Sequence, residues 1–232
     1  MKILFHICCS NCALYPVKLS REEGHDFAGF WYNPNIHPQE EYQSRLDSLK
    51  RLSDMWRVEV IYNADYKPEE YFEVIKSPNF PLQCFAATGA QPLFQRGGHT
   101  PLSPLDRGEI PPLPRGGNGG VIPPSPERCK SCYLLRLEKT AERAHEEGFD
   151  AFSTTLLISP YQDFEQIINT GRRLADKYNV DFYLKDFRQH FREALKLAKE
   201  LGLYRQKYCG CIFSKQEREH GKMTNSKAQI SN

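Results

Sequence analysis

Three cysteine clusters constrain this chain more than any other feature. They are Cys8-Cys9-x-x-Cys12, Cys129-x-x-Cys132 and Cys209-Gly210-Cys211, and they hold all but Cys84 of the 8 cysteines. The clusters stand far apart in sequence, so any chemistry they share requires a fold that returns the chain to one point. Dense thiols staple a fold, bind soft metals or exchange electrons. A chain of 232 residues buries enough surface to hold together without staples. Residues 1–7 form too short an apolar run for a secretory signal, and no stretch is long enough to span a bilayer. The expected location is cytoplasmic, where thiols stay reduced and clustered cysteines serve metals or catalysis.

The remaining sequence alternates between two periods. Residues 2–9 read as a short buried strand and residues 13–23 as a helix, with Pro16 placed in its first turn. A second strand over 27–32 ends at the turn-forming Asn33-Pro34-Asn35. Tyr42, Leu46, Leu49 and Leu52 share a helical face over 39–55. Val58, Val60 and Tyr62 alternate as a third strand, and 68–76 reads as a short helix. Beyond Cys132 a helical pattern ends near Gly148, followed by a strand over 149–157, a helix over 163–178 capped at Asp163 or a neighbour, a strand over 181–184 and a helix over 190–201. Strands alternating with helices predict an α/β fold, a Rossmann-like parallel sheet with helices on both faces. The expected organisation is one catalytic domain over 1–214, interrupted by a disordered Pro/Gly-rich insertion at 85–126, with a flexible tail at 215–232. Most of the chain's 16 prolines fall in or beside that insertion, and a proline-rich docking segment is its alternative reading.

Position and spacing give the clusters different characters. Cys9 falls at the end of the first strand, where open α/β sheets bind ligands, and Cys12 and Cys132 are expected to open helices, where thiolates are favoured. Two Cys-x-x-Cys pairs make a four-thiolate site. This suits an iron–sulfur cluster, with tetrahedral zinc as the competing metal. In Cys209-Gly210-Cys211 the single spacer closes only a small, strained disulfide ring, and such rings are easily reduced. The motif therefore suits an electron relay, two further metal ligands being the alternative. Cys84 reads as a bystander. Cys12 is open between a second metal, a proton donor and simple packing.

Polar residues near the expected crevice complete the set. Ser153-Thr154-Thr155 and Ser159-Pro160-Tyr161-Gln162 carry hydroxyls suited to a polar ligand, or to ordinary strand-end capping. His37 is either a proton donor or an inert loop residue. Asp186 can orient Arg188, and Tyr204-Arg205-Gln206 offers groups that stack on a base. The formal net charge of +2 and pI near 8.1 permit a nucleic-acid partner without arguing for one. There is no Gly-x-Gly-x-x-Gly, no Walker A loop and no nucleophile elbow, so a dinucleotide or ATP site is not supported.

The segments 1–15, 31–38, 128–137, 152–162, 185–188 and 204–214, taken in order, resemble the cobalamin-independent epoxyqueuosine reductases. The resemblance spans nearly the whole chain outside 85–126. It implies reductive removal of the epoxide oxygen of epoxyqueuosine at the wobble position of tRNA, giving queuosine and water. It further implies a 4Fe-4S cluster on Cys8, Cys9, Cys129 and Cys132, a redox-active pair at Cys209 and Cys211, and an additional iron for which Cys12 is the candidate ligand. The implied partners are tRNA carrying epoxyqueuosine and an external electron donor that the sequence does not identify. No membrane is implied.

Overall fold

The computed structural model describes residues 1–76 and 127–219. The insertion at 85–126, Cys84 and residues 220–232 lie outside the described residues. Five strands form one sheet: β1 (Lys2–His6), β2 (Asp26–Trp31), β3 (Val60–Tyr62), β4 (Ala151–Thr154) and β5 (Asp181–Phe182). Their order is β3-β2-β1-β4-β5, and every neighbouring pair is parallel. The central strand carries Ile3, Leu4 and Phe5 at 0%, 0% and 1% exposure. Each such side chain contributes about 1.5–3 kcal/mol on burial. A run buried on both faces marks the middle of a covered parallel sheet.

The helices fall into two packed groups. The first contains α1 (Ser10–Glu22), α2 (Gln39–Trp56) and α6 (Phe191–Glu200), in which α1 touches both others. The second contains α3 (Pro68–Lys76), α4 (Glu127–Glu146) and α5 (Phe164–Tyr178), in which α4 touches both others. Right-handed crossovers place the groups on opposite faces, because connections leaving β1 toward β3 and those moving toward β5 run in opposite directions. The doubly wound expectation is met. The strand order reverses beside β1, so the carboxyl ends of β1 and β4 flank the crevice such sheets use for ligands.

Boundaries differ from the sequence reading in four places. Helix α1 starts at Ser10, so Pro16 lies inside the helix rather than in its first turn; having no N–H, it gives nothing to the Cys12 carbonyl. The strand expected over 149–157 ends at Thr154, whose hydroxyl accepts from the Leu156 N–H and turns the chain into a 3-10 helix over Thr155–Ile158. Cys132 does not open its helix: α4 is already formed at Glu127 and holds both Cys129 and Cys132. The segment expected to fray from 215 begins as a helix, α7 (212–219). Burial of Cys211, Ile212 and Phe213 anchors that helix to the core. Among the described residues no helix is long and apolar enough to cross a membrane.

A candidate thiolate metal centre

The chain returns its three cysteine clusters to one place. A cavity of about 710 Å³ is lined by Cys8 and Cys12 from the β1–α1 corner, Cys129 and Cys132 from α4, and Cys209 and Cys211 from the approach to α7. The β1–α1 corner sits at the point of order reversal. Cys8 follows β1, Cys9 is the extended N-cap of α1, and Cys12 lies in its first turn. The sulfurs of Cys8, Cys9 and Cys12 all lie within 4.8 Å of one another, with Cys8 and Cys9 at 3.8 Å. A tetrahedral ion with bonds of about 2.3 Å holds its sulfurs about 3.8 Å apart, so this buried trio can hold a metal. Cys129 and Cys132 line the same cavity as Cys8 and Cys12.

The electrostatics suit thiolates as a group rather than singly. Hydrogen bonds from Cys12 and then Cys9 hold the Cys8 thiol well below its usual range. Cys12 is pushed up by its hydrogen bonds with Cys8 and Cys9, and Cys9 is pushed up by burial. Burial likewise raises Cys132 to about 11, in contrast to the lowered value expected for a helix-opening thiol.

Two guanidinium groups lie against the sulfurs, and the sequence reading missed both. Arg45 and Arg136 are 1% and 4% exposed and line the cavity. Arg136 donates from Nε to the Cys132 carbonyl at 3.2 Å. Arg45 donates to Glu41 at 2.8 Å, to the Tyr208 carbonyl at 2.9 Å and to the Cys209 carbonyl at 3.2 Å. Buried cations of this kind offset the charge of several thiolates, and the donor set with its counter-charges fits a soft, thiolate-bound metal group. A signal existed in the sequence: Arg45 lies three residues after Tyr42 and Arg136 four after Cys132, both on apolar stripes where a charge needs a reason. Gln206 was also undervalued. It was read as a base-stacking neighbour, yet its amide donates to the Cys9 sulfur at 3.0 Å and accepts from Asn11 at 3.0 Å.

The Cys209–Cys211 pair lines the same cavity as free cysteines, 3.9 Å between sulfurs. Gly210 makes the turn at φ 129°, a conformation reserved for glycine. A Cβ there meets Ile36 at 3.1 Å and Arg45 and Asn35 at 3.3 Å. Gly210→Ala is expected to cost about 1–3 kcal/mol and to displace the pair, seen as faster alkylation of Cys211. An unchanged alkylation rate would show that the turn is not strained. The Cys211 thiol is lowered to about 5 by its hydrogen bonds with Cys209 and Ser214, whereas Cys209 is raised by the same contact with Cys211.

Several expected polar contributors are occupied elsewhere. Ser153 donates to the Tyr183 carbonyl, and Thr154 pairs with His6. Of these three strand-end hydroxyls, Thr155 alone reaches a cysteine, accepting from the Cys8 N–H at 3.4 Å. Strand-end geometry absorbs these hydroxyls. Asp186 does grip Arg188, at 2.6 Å, but on the exposed surface away from the cavity lining. Tyr204 donates to Glu41 at 2.5 Å. Ser159, Tyr161, Gln162, Arg205 and Gln206 do line the cavity.

His37 is buried at 4% exposure with both ring nitrogens unpartnered. Its ring packs against Tyr71 and Phe72, and burial lowers it from 6.5 to about 4. The unfolded chain then binds more protons between those values, so folding stability falls as pH drops from 6.5 toward 4. The loss from this residue is about 3 kcal/mol at most. Urea midpoints at pH 7 and pH 5 should separate more for the native chain than for His37→Phe. Equal separations would exclude His37 as a contributor.

Fold and site together define an α/β protein with a buried, arginine-compensated thiol cavity at its switch point, the equipment of a thiol-dependent metalloprotein. The sequence family described as epoxyqueuosine reductase QueH matches residues 3–86 and 121–217, breaking off within the region of the proline-rich segment. A protein of Dehalococcoides mccartyi named epoxyqueuosine reductase QueH is 31% identical over 217 residues, covering 94% of each chain. One of the same name from Thermotoga maritima is 32% identical over 221 residues, covering 93% of this chain and 91% of the relative. The chain belongs to the epoxyqueuosine reductase QueH family and is an oxidoreductase.

Proposed function

We propose that the chain reduces epoxyqueuosine in tRNA to queuosine, with a 4Fe-4S cluster on Cys8, Cys9, Cys129 and Cys132 and a redox-active pair at Cys209 and Cys211. The observation that carries this reading is the convergence of all three cysteine clusters on one cavity. When bound, the cluster supplies electrons one at a time. Cys12, within reach of Cys8 and Cys9, is the ligand proposed for an additional iron. Gln206 holds the Cys9 sulfur by hydrogen bond, and Arg45 and Arg136 offset the thiolate charge.

The chain's own groups also suit the substrate. Removing the epoxide oxygen needs two electrons and two protons; the Cys209–Cys211 pair can give the electrons and the Cys209 proton, and solvent supplies the other proton. A base in a single-stranded loop leaves its stack at modest cost. Tyr161, on the cavity wall and 81% exposed, offers it a ring face. Arg205, Lys207 and Arg218 line the same cavity and suit backbone phosphates, so binding weakens as salt rises. A tRNA substrate places the protein in the cytoplasm.

The test is anaerobic reconstitution with iron and sulfide, followed by nucleoside mass spectrometry of epoxyqueuosine-containing tRNA. Brown protein that converts epoxyqueuosine to queuosine is expected. Colourless protein holding only zinc would sink the cluster. Equal binding of tRNA with and without the epoxide, with no turnover, would favour the second reading, a zinc-stabilised RNA-binding protein, for which the close Cys8-Cys9-Cys12 trio is also suited.

A further inference from the structure

The two sulfurs of the relay pair have unequal surroundings. Cys209 is exposed and lines the cavity, while Cys211 is 5% exposed. Cys211 immediately precedes α7 and stands at its N-cap position. The Ser214 N–H, three residues on, points at the Cys211 sulfur at 3.4 Å. The Cys211 carbonyl meanwhile accepts the Lys215 N–H at 3.2 Å. A side chain in this position takes an otherwise unmatched helix donor, and an anion there gains from the helix dipole. The Cys209 sulfur is engaged differently: it gives its proton to the Ser214 hydroxyl at 3.0 Å.

From this asymmetry we infer that the oxidised pair is regenerated by a dithiol reductant that attacks at Cys209 and expels Cys211. The inference rests on the redox-pair reading above and names the chemical class of its electron donor. A reductant thiolate forms a bond to the Cys209 sulfur. The Cys209–Cys211 bond breaks, and its electron pair leaves on Cys211 as a thiolate held by the α7 N-terminus. The second thiol of the reductant then displaces Cys209 from the mixed disulfide. Of the two protons released, one goes to Cys209 and one to solvent, and the reductant ends as a disulfide. Two electrons have entered the pair. In thiol exchange the sulfur that leaves as the more stable thiolate leaves faster, and attack falls on the accessible sulfur. Both criteria select the same direction here. Because Cys209 lines the cavity that receives substrate, reductant and tRNA take turns at it, and ping-pong kinetics follow.

The experiment uses the reconstituted full chain, oxidised with diamide, treated with excess glutathione as the probe and quenched with iodoacetamide. Peptide mass spectrometry then locates the adducts. Glutathione should sit on Cys209 and carbamidomethyl on Cys211, by a ratio of about tenfold or more. Glutathione on Cys211, or evenly on both, would overturn the direction of attack while leaving the redox pair intact. If diamide joins no Cys209–Cys211 disulfide, the redox pair itself falls and the asymmetry falls with it.

Discussion

Arg45→Met is expected to cost the chain about 3–5 kcal/mol, the loss typical of breaking a buried ion pair. The side chain is 1% exposed, so the comparison with surface pairs at about 0–1 kcal/mol does not apply. Methionine matches the arginine stem in volume but leaves the Glu41 carboxylate and the carbonyls of Tyr208 and Cys209 without their donor. The Tyr204 hydroxyl still reaches Glu41, which limits the damage to that carboxylate but not to the relay segment. Urea unfolding measures the cost. Adding Glu41→Gln should recover part of it, because the stranded charge is then gone. A loss below about 1 kcal/mol would mean that water replaces the guanidinium freely.

Cys209→Ser and Cys211→Ser are each expected to abolish queuosine formation while leaving the iron and sulfide content of reconstituted protein at the native level. The two sulfurs form their own pair at 3.9 Å, and neither belongs to the close Cys8-Cys9-Cys12 group. Serine preserves size and hydrogen bonding but neither carries a redox couple nor forms a disulfide. The contrasting variant is Cys8→Ser, which should lower metal content and activity together. If either relay variant empties the metal centre, Cys209 and Cys211 are ligands, and the division of labour among the clusters is wrong.

What the sequence disclosed follows from the reach of local rules. The strand rhythm was legible because β1 and β2 are short apolar runs between turn formers, and parallel strands joined by helices leave few topologies. Cysteine spacing made the thiol chemistry legible for a similar reason: two residues between sulfurs already fix a chelating geometry. Arg45, Arg136 and Gln206 were hidden because their roles depend on partners in distant parts of the chain, such as the bond between Gln206 and Cys9. Composition treats them as surface residues. For Ser153 and Thr154 the sequence leaves a ligand and ordinary strand-end bonding open, and the Tyr183 carbonyl and His6 claim them.

The position of β1 at the centre of the sheet imposes an order in time. Cys8 and Cys9 are made before the rest of their surroundings: their strand is flanked on one side by β4, at Ala151–Thr154, and the cavity beside them is lined by residues near Cys211. A chain emerging from the ribosome can assemble β1, β2 and β3 early, yet the thiols at their end wait for α4, β4 and the Cys209–Cys211 segment before any wall stands across from them. During that interval the first cysteines are open to oxidants and stray metals. On the proposed metal-binding reading, loading therefore comes late, as a step of maturation of the finished fold rather than a seed around which it forms.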